Sequence, residues 1–399
     1  MSVKVKYCFL QGFTWAEYVI LTGYCTYYLS SYGFSDTVIG AINSVFATIA
    51  IVATFLLGRL ADSSKIFHWR RQSIILASMM LFLMTALLFV REKWFIGPTF
   101  GFMYLLLCAI NTMVNAASFY YEAKEVDVNF GLARGIGSAT YAVFSTFVGR
   151  LTLAYGRIVV PAAGVLITFL LTLVILSMPY SGSVVEDSKD SSAKKADMNW
   201  IRLISKYPVL SLMVLANFFL IVFHNMYCSY MIRIVEKVGG DSNSLGLSLA
   251  IGAIFELPMM LAAVWMVKKI PDKLHIVMLL GSLGFLLRGG LFILATHMSH
   301  IYLAQMTSMF GYAVYASVGI YFVNRLVEPE DMVTGQAEFA MSISAASVIS
   351  SFAGGLLIDA YGINHMLLIG FFIASLGTVS AAVAAIIYNK GKNNAIKTH

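Results

Sequence analysis

Two ionisable side chains lie inside apolar stretches of the chain, where a charged group needs either a partner or a function. Glu256 stands in the segment Ile-Phe-Glu-Leu-Pro, and Arg288 stands in Leu-Leu-Arg-Gly-Gly. An ionised side chain surrounded by hydrocarbon costs about 2.5 to 3.5 kcal/mol. A glutamate removed from water can hold a proton and release it when water or a cation approaches, which is the chemistry of proton coupling. Because arginine stays charged, Arg288 either forms a structural pair with Glu256 or faces an anionic part of a solute.

Further polar residues lie in apolar surroundings nearer the start of the chain. Glu17, in the segment Trp-Ala-Glu-Tyr, could serve a proton or a solute, or act as a neutral hydrogen-bonded group. One helical face carries four polar residues at spacings of four, three and four: Asn111, Asn115, Ser118 and Glu122. Such a face lines a water-filled cavity or bonds to a neighbouring helix. We favour the cavity, because four polar residues are more than one helix contact usually contains.

A weaker polar stripe and a pair of tyrosines lie in the second half of the chain. The stripe consists of Asn217, His224 and Asn225. We interpret His224 as a packing group rather than a proton relay. Tyr312 and Tyr315 are three residues apart and share a helical face, so they could stack on a ring-shaped solute or belong to the ordinary core.

Apolar residues make up most of the chain. Of 399 residues, 59% are apolar and only 12% are charged, and the mean hydropathy is +0.80. Such a chain cannot hide its apolar surface from water by folding, so its solvent must be lipid. Because a helix needs about 20 apolar residues to cross the hydrocarbon core, the sequence predicts twelve membrane-spanning helices. They are 7–29, 37–57, 72–90, 96–121, 134–155, 158–178, 207–234, 244–267, 274–295, 301–323, 334–358 and 365–388.

One long hydrophilic segment, 181–206, divides the predicted spans into two groups of six. It is rich in Ser, Lys and Asp, and we interpret it as a flexible linker. The sequence therefore predicts an all-α integral membrane protein with one six-helix bundle over 1–180 and a second over 207–399. Paired halves are typical of secondary transporters, whose solute site lies near the midplane between the halves.

The distribution of lysine and arginine predicts the orientation of the chain. Of 27 such residues, nineteen fall on the side that carries both termini and six on the other side, and Arg134 and Arg288 are counted on neither side. Cytoplasmic loops are enriched in Lys and Arg. We therefore expect a multi-pass protein of the cell membrane with both termini in the cytoplasm.

A short motif follows the second predicted span. The segment Gly58-Arg-Leu-Ala-Asp62, with Arg70-Arg71 after it, resembles the loop motif of the major facilitator superfamily. The resemblance implies that Gly58 allows close helix approach. It also implies that Asp62, Arg70 and Arg71 form a cytoplasmic gate between helices.

Within that superfamily, the chain is similar to the lactose-permease-like proton symporters along most of its length. The segment Gly131-Leu-Ala-Arg134 resembles the start of their fifth span, and Tyr141 falls where the permease stacks an aromatic ring on its sugar. The resemblance implies that Arg134 and Tyr141 bind the solute. It further implies that Glu256 is the essential carboxylate of the eighth span and that Arg288 is its partner in the ninth.

The chain also departs from that family in the residues that carry the proton. Ala116 stands where the partner of the sugar-binding arginine is expected, and Ser308 and Gly311 replace the family's histidine and glutamate of the tenth span. Proton coupling would therefore rest on Glu256 or Glu17. The segment Leu-Leu-Arg-Gly-Gly-Leu-Phe around Arg288 equally resembles the nucleoside proton symporters of the same superfamily.

These features together predict a proton-coupled symporter that imports a small polar solute, such as a sugar, glycoside or nucleoside, by alternating access. The alternatives are an exporter of drugs or metabolites and a nontransporting sensor built on a transporter fold. The chain has no phosphate-binding loop and no metalloprotease spacing, so we expect no enzyme, cofactor or metal site. Its basic residues lie in scattered loops rather than in one patch, which argues against nucleic acid. The expected partners are the solute, protons and the lipid bilayer, and we expect a monomer.

Overall fold

The computed structural model of the chain describes residues 2–63, 68–126, 128–179 and 205–397. Within these ranges the chain is helical and contains no β-strand. The α-helices are α1 (Val3–Tyr18), α2 (Cys25–Ser31), α3 (Asp36–Ser63), α4 (Trp69–Phe89), α5 (Lys93–Glu122), α6 (Phe130–Tyr155), α7 (Val159–Ser177), α8 (Pro208–Ser229), α9 (Met231–Lys237), α10 (Ser242–Lys269), α11 (Leu274–Ile293), α12 (Met298–Met306), α13 (Tyr312–Leu326), α14 (Met332–Tyr361) and α15 (Ile363–Lys397). Most of the linker predicted over 181–206 lies outside the described residues.

Ten helical stretches of the described chain are long and apolar enough to cross a membrane, so the protein is a multi-pass helical membrane protein. Two features explain why this count differs from the predicted twelve. The stretch Phe130–Ser177 has 48 residues and contains both α6 and α7. A single helix of that length would extend about 72 Å, more than twice the hydrocarbon thickness. The helices α1 and α2, with 16 and 7 residues, are each too short to cross alone. The number of crossings therefore stays a prediction.

The first apolar region, expected as one uninterrupted helix over 7–29, is divided by a π-helical segment. This segment, Val19–Gly23, lies between α1 and α2. The Thr22 hydroxyl donates to the carbonyl oxygen of Tyr18 at 2.6 Å. Such hydrogen bonds to the preceding turn bend helices. π-helical insertions are rare overall, and those that occur are often found at functional sites.

The first of two compact units consists of Met1–Ser192 and Gly240–Ala253. In this unit α1 packs against α6 and α7, α3 against α5, and α4 against α5 and α7. Residues 240–253 belong to the second half by sequence, yet they lie against α6. The backbones meet so closely that a Cβ on Gly246 would lie 2.3 Å from the Ser145 carbonyl oxygen. The division of domains at 181–206 stays a prediction.

The second compact unit consists of Ala193–Gly239 and Ile254–His399. Helix α8 packs against α14 and α15, and α11 packs against α13 and α15. The tenth predicted span, 301–323, is divided into α12, a 3-10 turn over Thr307–Phe310, and α13. This interruption places backbone groups without regular helical partners inside an apolar bundle, which is tolerated where the backbone is buried in protein or lines a cavity.

Candidate functional site

The interrupted helix of the second unit is held against α11. Gly284 of α11 lies beside the turn, and a Cβ at this position would lie 2.3 Å from the Phe310 carbonyl oxygen. Gly311 follows the turn, and its amide donates to the Ser308 carbonyl oxygen at 3.3 Å. Discontinuous helices near the middle of the bilayer are a recurrent feature of solute and ion sites in transporters.

Ser308 in this turn lies between the two ionisable residues predicted from the sequence. Its hydroxyl donates to Oε1 of Glu256 at 2.5 Å. Its oxygen also accepts from Nη1 of Arg288 at 3.2 Å. Ser308 is fully buried and Arg288 is 4% exposed, while Glu256 is half-buried. One hydroxyl group therefore links the carboxylate of α10 to the guanidinium of α11.

Arg288 has additional polar partners on two other helices. The guanidinium donates to Oε1 of Gln305 and, at 3.3 Å, to the Tyr227 hydroxyl. Its Cζ lies 4.8 Å from the centroid of the Tyr227 ring, a cation–π contact. Gln305 and Tyr227 are also buried. The arginine is thus oriented by neutral hydrogen-bond acceptors as well as by the Glu256–Ser308 pair.

His224 extends this network to Tyr312. Its Nδ1 lies 2.7 Å from the Tyr227 hydroxyl. Its ring stacks on the ring of Tyr312, with centroids 4.2 Å apart and planes at 10°. Tyr315 is 1% exposed and packs edge-on against Phe285 at 5.6 Å. The two tyrosines therefore lie in different surroundings, and their assignment to the solute stays a prediction.

The remaining polar residues of the α8 stripe bond to α14. Asn225 donates from Nδ2 to the Ser347 hydroxyl at 2.9 Å, and Asn217 donates to the Ser342 hydroxyl at 2.8 Å. Asn217 is 1% exposed, whereas Asn225 is half-buried. These bonds hold two helices together, and a solute-binding role for Asn225 stays a prediction.

The first unit contains a second cluster, centred on Arg134 of α6. Its Cζ lies 3.6 Å from the centroid of the Trp15 ring, and its Nη1 donates to the Ser138 hydroxyl at 2.8 Å. Tyr141 contacts the same indole edge-on, with centroids 6.4 Å apart. Gly137 makes room for the indole, because a Cβ there would lie 2.5 Å from Cδ1 of Trp15. Arg134 and Tyr141 are therefore brought together by Trp15, which was not among the predicted site residues.

The polar face of α5 meets α1. Gln11 donates from Nε2 to Oδ1 of Asn115 and to the Tyr7 hydroxyl, both at 3.0 Å. Asn111 lies one turn away, and its buried Oδ1 accepts no hydrogen bond from the described residues. Asn115 thus takes part in a helix contact, while Oδ1 of Asn111 has no donor among the described residues. Their assignment to the solute stays a prediction.

Glu17 is buried where α1 packs against α7. It is 0% exposed, and the Thr168 hydroxyl donates to its Oε1 at 2.6 Å. Its Oε2 is buried and has no hydrogen-bond partner in the part of the chain that is described. Glu17 is therefore a fully buried carboxyl group with a single neutral donor among the described residues.

Among the residues of the predicted gating motif, Arg70 has the best-defined contacts. It donates from Nε to the Ile175 carbonyl oxygen at 3.2 Å and from Nη2 to the Leu176 carbonyl oxygen at 2.6 Å. These two carbonyls belong to the last turn of α7. A cation at the C-terminus of a helix stabilises both the free carbonyls and the helix dipole. Arg70 thus links the start of α4 to the end of α7.

The other motif residues are less closely packed. A Cβ on Gly58 would meet no described atom within 4 Å, and the side chain of Asp62 lies outside the described part of the structure. Arg71 is exposed. Burial lowers the pKa of His68 at the start of α4, and the nearby Arg70 and Arg71 lower it further. The gating role of the motif stays a prediction.

The sequence profile of the MFS_1 like family matches residues 3–369. The chain belongs to this family. It is therefore a member of the major facilitator superfamily, as the motif of the second loop and the Arg134 segment indicate. No curated protein sequence matches it.

Solved structures of the same superfamily resemble the whole chain. A point mutant of the nucleoside transporter NupG has a TM-score of 0.80 at 16% identity, covering 97% of this chain and 100% of its own. A mutant of the peptide transporter POT in complex with alafosfalin has a TM-score of 0.77 at 14% identity, covering 97% and 94%. A bacterial homolog of the human lysosomal transporter Spinster, in its inward-facing and unoccupied conformation, has a TM-score of 0.70 at 12% identity, covering 97% of both chains. Family and neighbours are transporters, so the protein has a transporter fold and is not an enzyme.

Proposed function

We propose that this member of the MFS_1 like family is a proton-coupled symporter that imports a small polar solute by alternating access. The observation that carries the proposal is the network of Glu256, Ser308 and Arg288 at the interrupted helix. In the same proposal the chain crosses the cell membrane twelve times as a monomer, with both termini in the cytoplasm.

Glu256 is suited to carry the proton because the balance between its ionised and protonated forms depends on its hydration and on the position of Arg288. Ser308 donates to the carboxylate, and Arg288 on the other side of that hydroxyl favours its ionised form. A change in hydration or in the position of Arg288 would shift the balance towards the protonated form. A group that alternates between two such states as the transporter changes conformation meets the requirement for coupling. Glu17, buried beside Thr168, is the second proposed proton site.

The first unit indicates the class of solute. Trp15 and Tyr141 offer aromatic surface beside a guanidinium that donates hydrogen bonds in a fixed plane. Such a set suits a molecule with one flat face and several acceptor oxygens. A nucleoside meets both conditions, and so does a glycoside with an aromatic group. The likeness to a nucleoside transporter supports the fold and leaves this choice to experiment.

Binding and flux can be tested separately. Purified protein would be screened by thermal shift with uridine, adenosine, lactose and an aryl glucoside, because a ligand of the folded state raises apparent stability. Hits would then be tested for counterflow in liposomes. We expect a nucleoside to bind and to exchange across the bilayer, and Arg134→Gln to abolish the shift.

Arg233→Gln serves as the matched control, because Arg233 is a partly exposed arginine that pairs with the exposed Glu236 at 2.9 Å. Binding without flux in reconstituted protein would contradict the transporter proposal and favour a nontransporting sensor. Export of organic dyes, with no response to any polar solute, would contradict the proposed solute class.

A further inference from the structure

We infer that His224 positions Arg288 through the Tyr227 hydroxyl and can do so only while its imidazole is neutral. The inference rests on the proposed function in taking the Arg288 network as the transport site. It also revises the interpretation of His224 as a packing group, since the ring has polar partners on both nitrogens.

The direction of the hydrogen bonds follows from the chemistry of the donors. A guanidinium can only donate, so the Tyr227 oxygen accepts from Arg288 at 3.3 Å. The hydroxyl proton of Tyr227 is then free to point at Nδ1 of His224, 2.7 Å away. In this arrangement Nδ1 carries a lone pair and the ring proton lies on Nε2, which is 3.6 Å from Sγ of Cys228.

Protonation of His224 would reverse this arrangement. Nδ1 would become a donor, and the Tyr227 oxygen would receive two donated hydrogens while its own proton lost the imidazole acceptor. The imidazolium of His224 would also face the Arg288 guanidinium across the single hydroxyl group of Tyr227. Because both groups are buried, the repulsion between the two charges would be stronger than in water. The guanidinium would then lose its bond to Tyr227 and its fixed position beside Ser308.

The imidazole cannot avoid this conflict by turning away. It stacks on Tyr312 of α13 at 4.2 Å, and Phe285 of α11 packs edge-on against it at 6.0 Å. The titratable and charged groups that face it are Tyr227 and Cys228 of its own helix, Tyr312 of α13 and Arg288 of α11. Glu256 influences the same cluster from beyond Ser308. A ring held in one plane transmits its protonation state to Tyr227.

Two substitutions separate the role of the acceptor from that of the proton. His224→Asn places an amide oxygen near the position of Nδ1 and cannot be protonated, whereas His224→Phe removes the acceptor. If His224 acts by positioning, Asn should preserve the geometry of Arg288 at every pH. Phe should give at neutral pH the geometry that acid gives in the wild type.

The test is nitrogen NMR of the full-length protein in nanodiscs, with histidine and arginine labelled with nitrogen-15. We expect His224 at neutral pH to show an unprotonated Nδ1 and a protonated Nε2. We expect the Arg288 guanidinium signals to shift on acidification with the midpoint of His224. That shift should be absent in His224→Asn and should persist in Glu256→Gln and in His297→Asn, a control at an exposed histidine of the same unit.

Two outcomes would overturn the inference: a proton on Nδ1 at neutral pH, or an Arg288 shift that persists in His224→Asn. The Asn variant decides the matter even if the Phe variant fails to fold. Because these signals do not depend on flux, a protein that binds without transporting would refute the proposed function and leave this result intact.

Discussion

Arg134 and Trp15 form the closest cation–π contact of the clusters described, with Cζ 3.6 Å from the ring centroid. The contact depends on the planar guanidinium, which stacks on the indole while Nη1 binds Ser138. A lysine at the same position would keep the charge and lose both the stacking and the paired donors.

We predict that Arg134→Lys weakens solute binding by about tenfold, because the lysine offers the solute no planar pair of donors and the loss of one charge-assisted hydrogen bond costs about 1.5 kcal/mol. Titration of the ligand against the thermal-shift response measures the change in Kd. Arg233→Lys is the control and should leave Kd unaltered. An equal loss of affinity in Arg134→Lys and Arg233→Lys would show that Arg134 is not part of the solute site.

The sequence indicates the ionisable members of both clusters and, through a family resemblance, Tyr141, but not the other neutral partners. Glu256, Arg288 and Arg134 are conspicuous because a charge is costly in an apolar run. Trp15, Tyr227 and Gln305 are not, because aromatic and amide residues are common in such helices and their role depends on which faces meet. No single-sequence signal shows that Trp15 of α1 faces α6.

At the scale of the elements, the interrupted helix could not be read from the sequence. The segment 301–323 contains no proline, and its hydropathy predicts one continuous helix. The interruption at Thr307–Phe310 depends instead on contact with Gly284 of α11, which leaves no space for a side chain. Packing between helices therefore decides where Ser308 meets Glu256.

We predict that Gly284→Ala destabilises the protein by about 1 to 3 kcal/mol, because the added methyl group overlaps backbone atoms that cannot move freely. Gly290→Ala, in the same helix, is the matched control. A Cβ there would lie 3.9 Å from its nearest neighbour, an atom of Phe371. Thermal unfolding in detergent should show a lowered midpoint for Gly284→Ala alone, and equal midpoints would contradict the packing account.

A second element-scale prediction concerns the start of α10. Oδ1 of Asp241 accepts from the backbone amide and the hydroxyl of Ser244, both at 2.8 Å. The bond from the Ser244 amide holds the pKa of Asp241 below its ordinary value. Asp241→Ala should cost about 1 kcal/mol of stability at neutral pH through loss of the cap, whereas Asp241→Asn should cost little.

The pH dependence of this cap has a definite sign. A carboxyl whose pKa is lower in the folded state stabilises the fold above its unfolded pKa of about 3.9. That contribution disappears as the pH falls through the folded value. The difference in thermal midpoint between the wild type and Asp241→Asn should therefore shift in favour of Asn below about pH 4. A difference that stays constant from pH 7 to pH 3 would show that Asp241 does not act as an ionised cap.

At the scale of the whole molecule, the membrane class and superfamily could be predicted from composition and a few motifs. The number of crossings is harder to predict, because α6 and α7 are joined by a single 3-10 turn over Gly156–Ile158 and the first region is divided by a π-helical segment. Hydropathy measures the length of apolar runs. It does not measure where a helix turns back or changes its hydrogen bonding.

Reporter fusions would determine both the topology and the orientation. With twelve crossings and cytoplasmic termini, alkaline phosphatase fused after Arg157 should be active, and fused after Lys124 or Lys206 it should be inactive. Fluorescent protein fused to the C-terminus should fluoresce. An inactive fusion after Arg157 would mean that α6 and α7 do not form two crossings.

The central claim is that Glu256 couples solute movement to protons, and it is tested most directly by proton uptake in liposomes. Addition of the transported solute should acidify the lumen, recorded with a trapped pH-sensitive dye, when wild-type protein is present. Glu256→Gln, which resembles the permanently protonated group, should exchange solute across the bilayer without acidifying the lumen. Glu236→Gln, a substitution at the exposed pair with Arg233, should behave as the wild type. Solute flux without proton movement in the wild type, or full acidification by Glu256→Gln, would contradict the account.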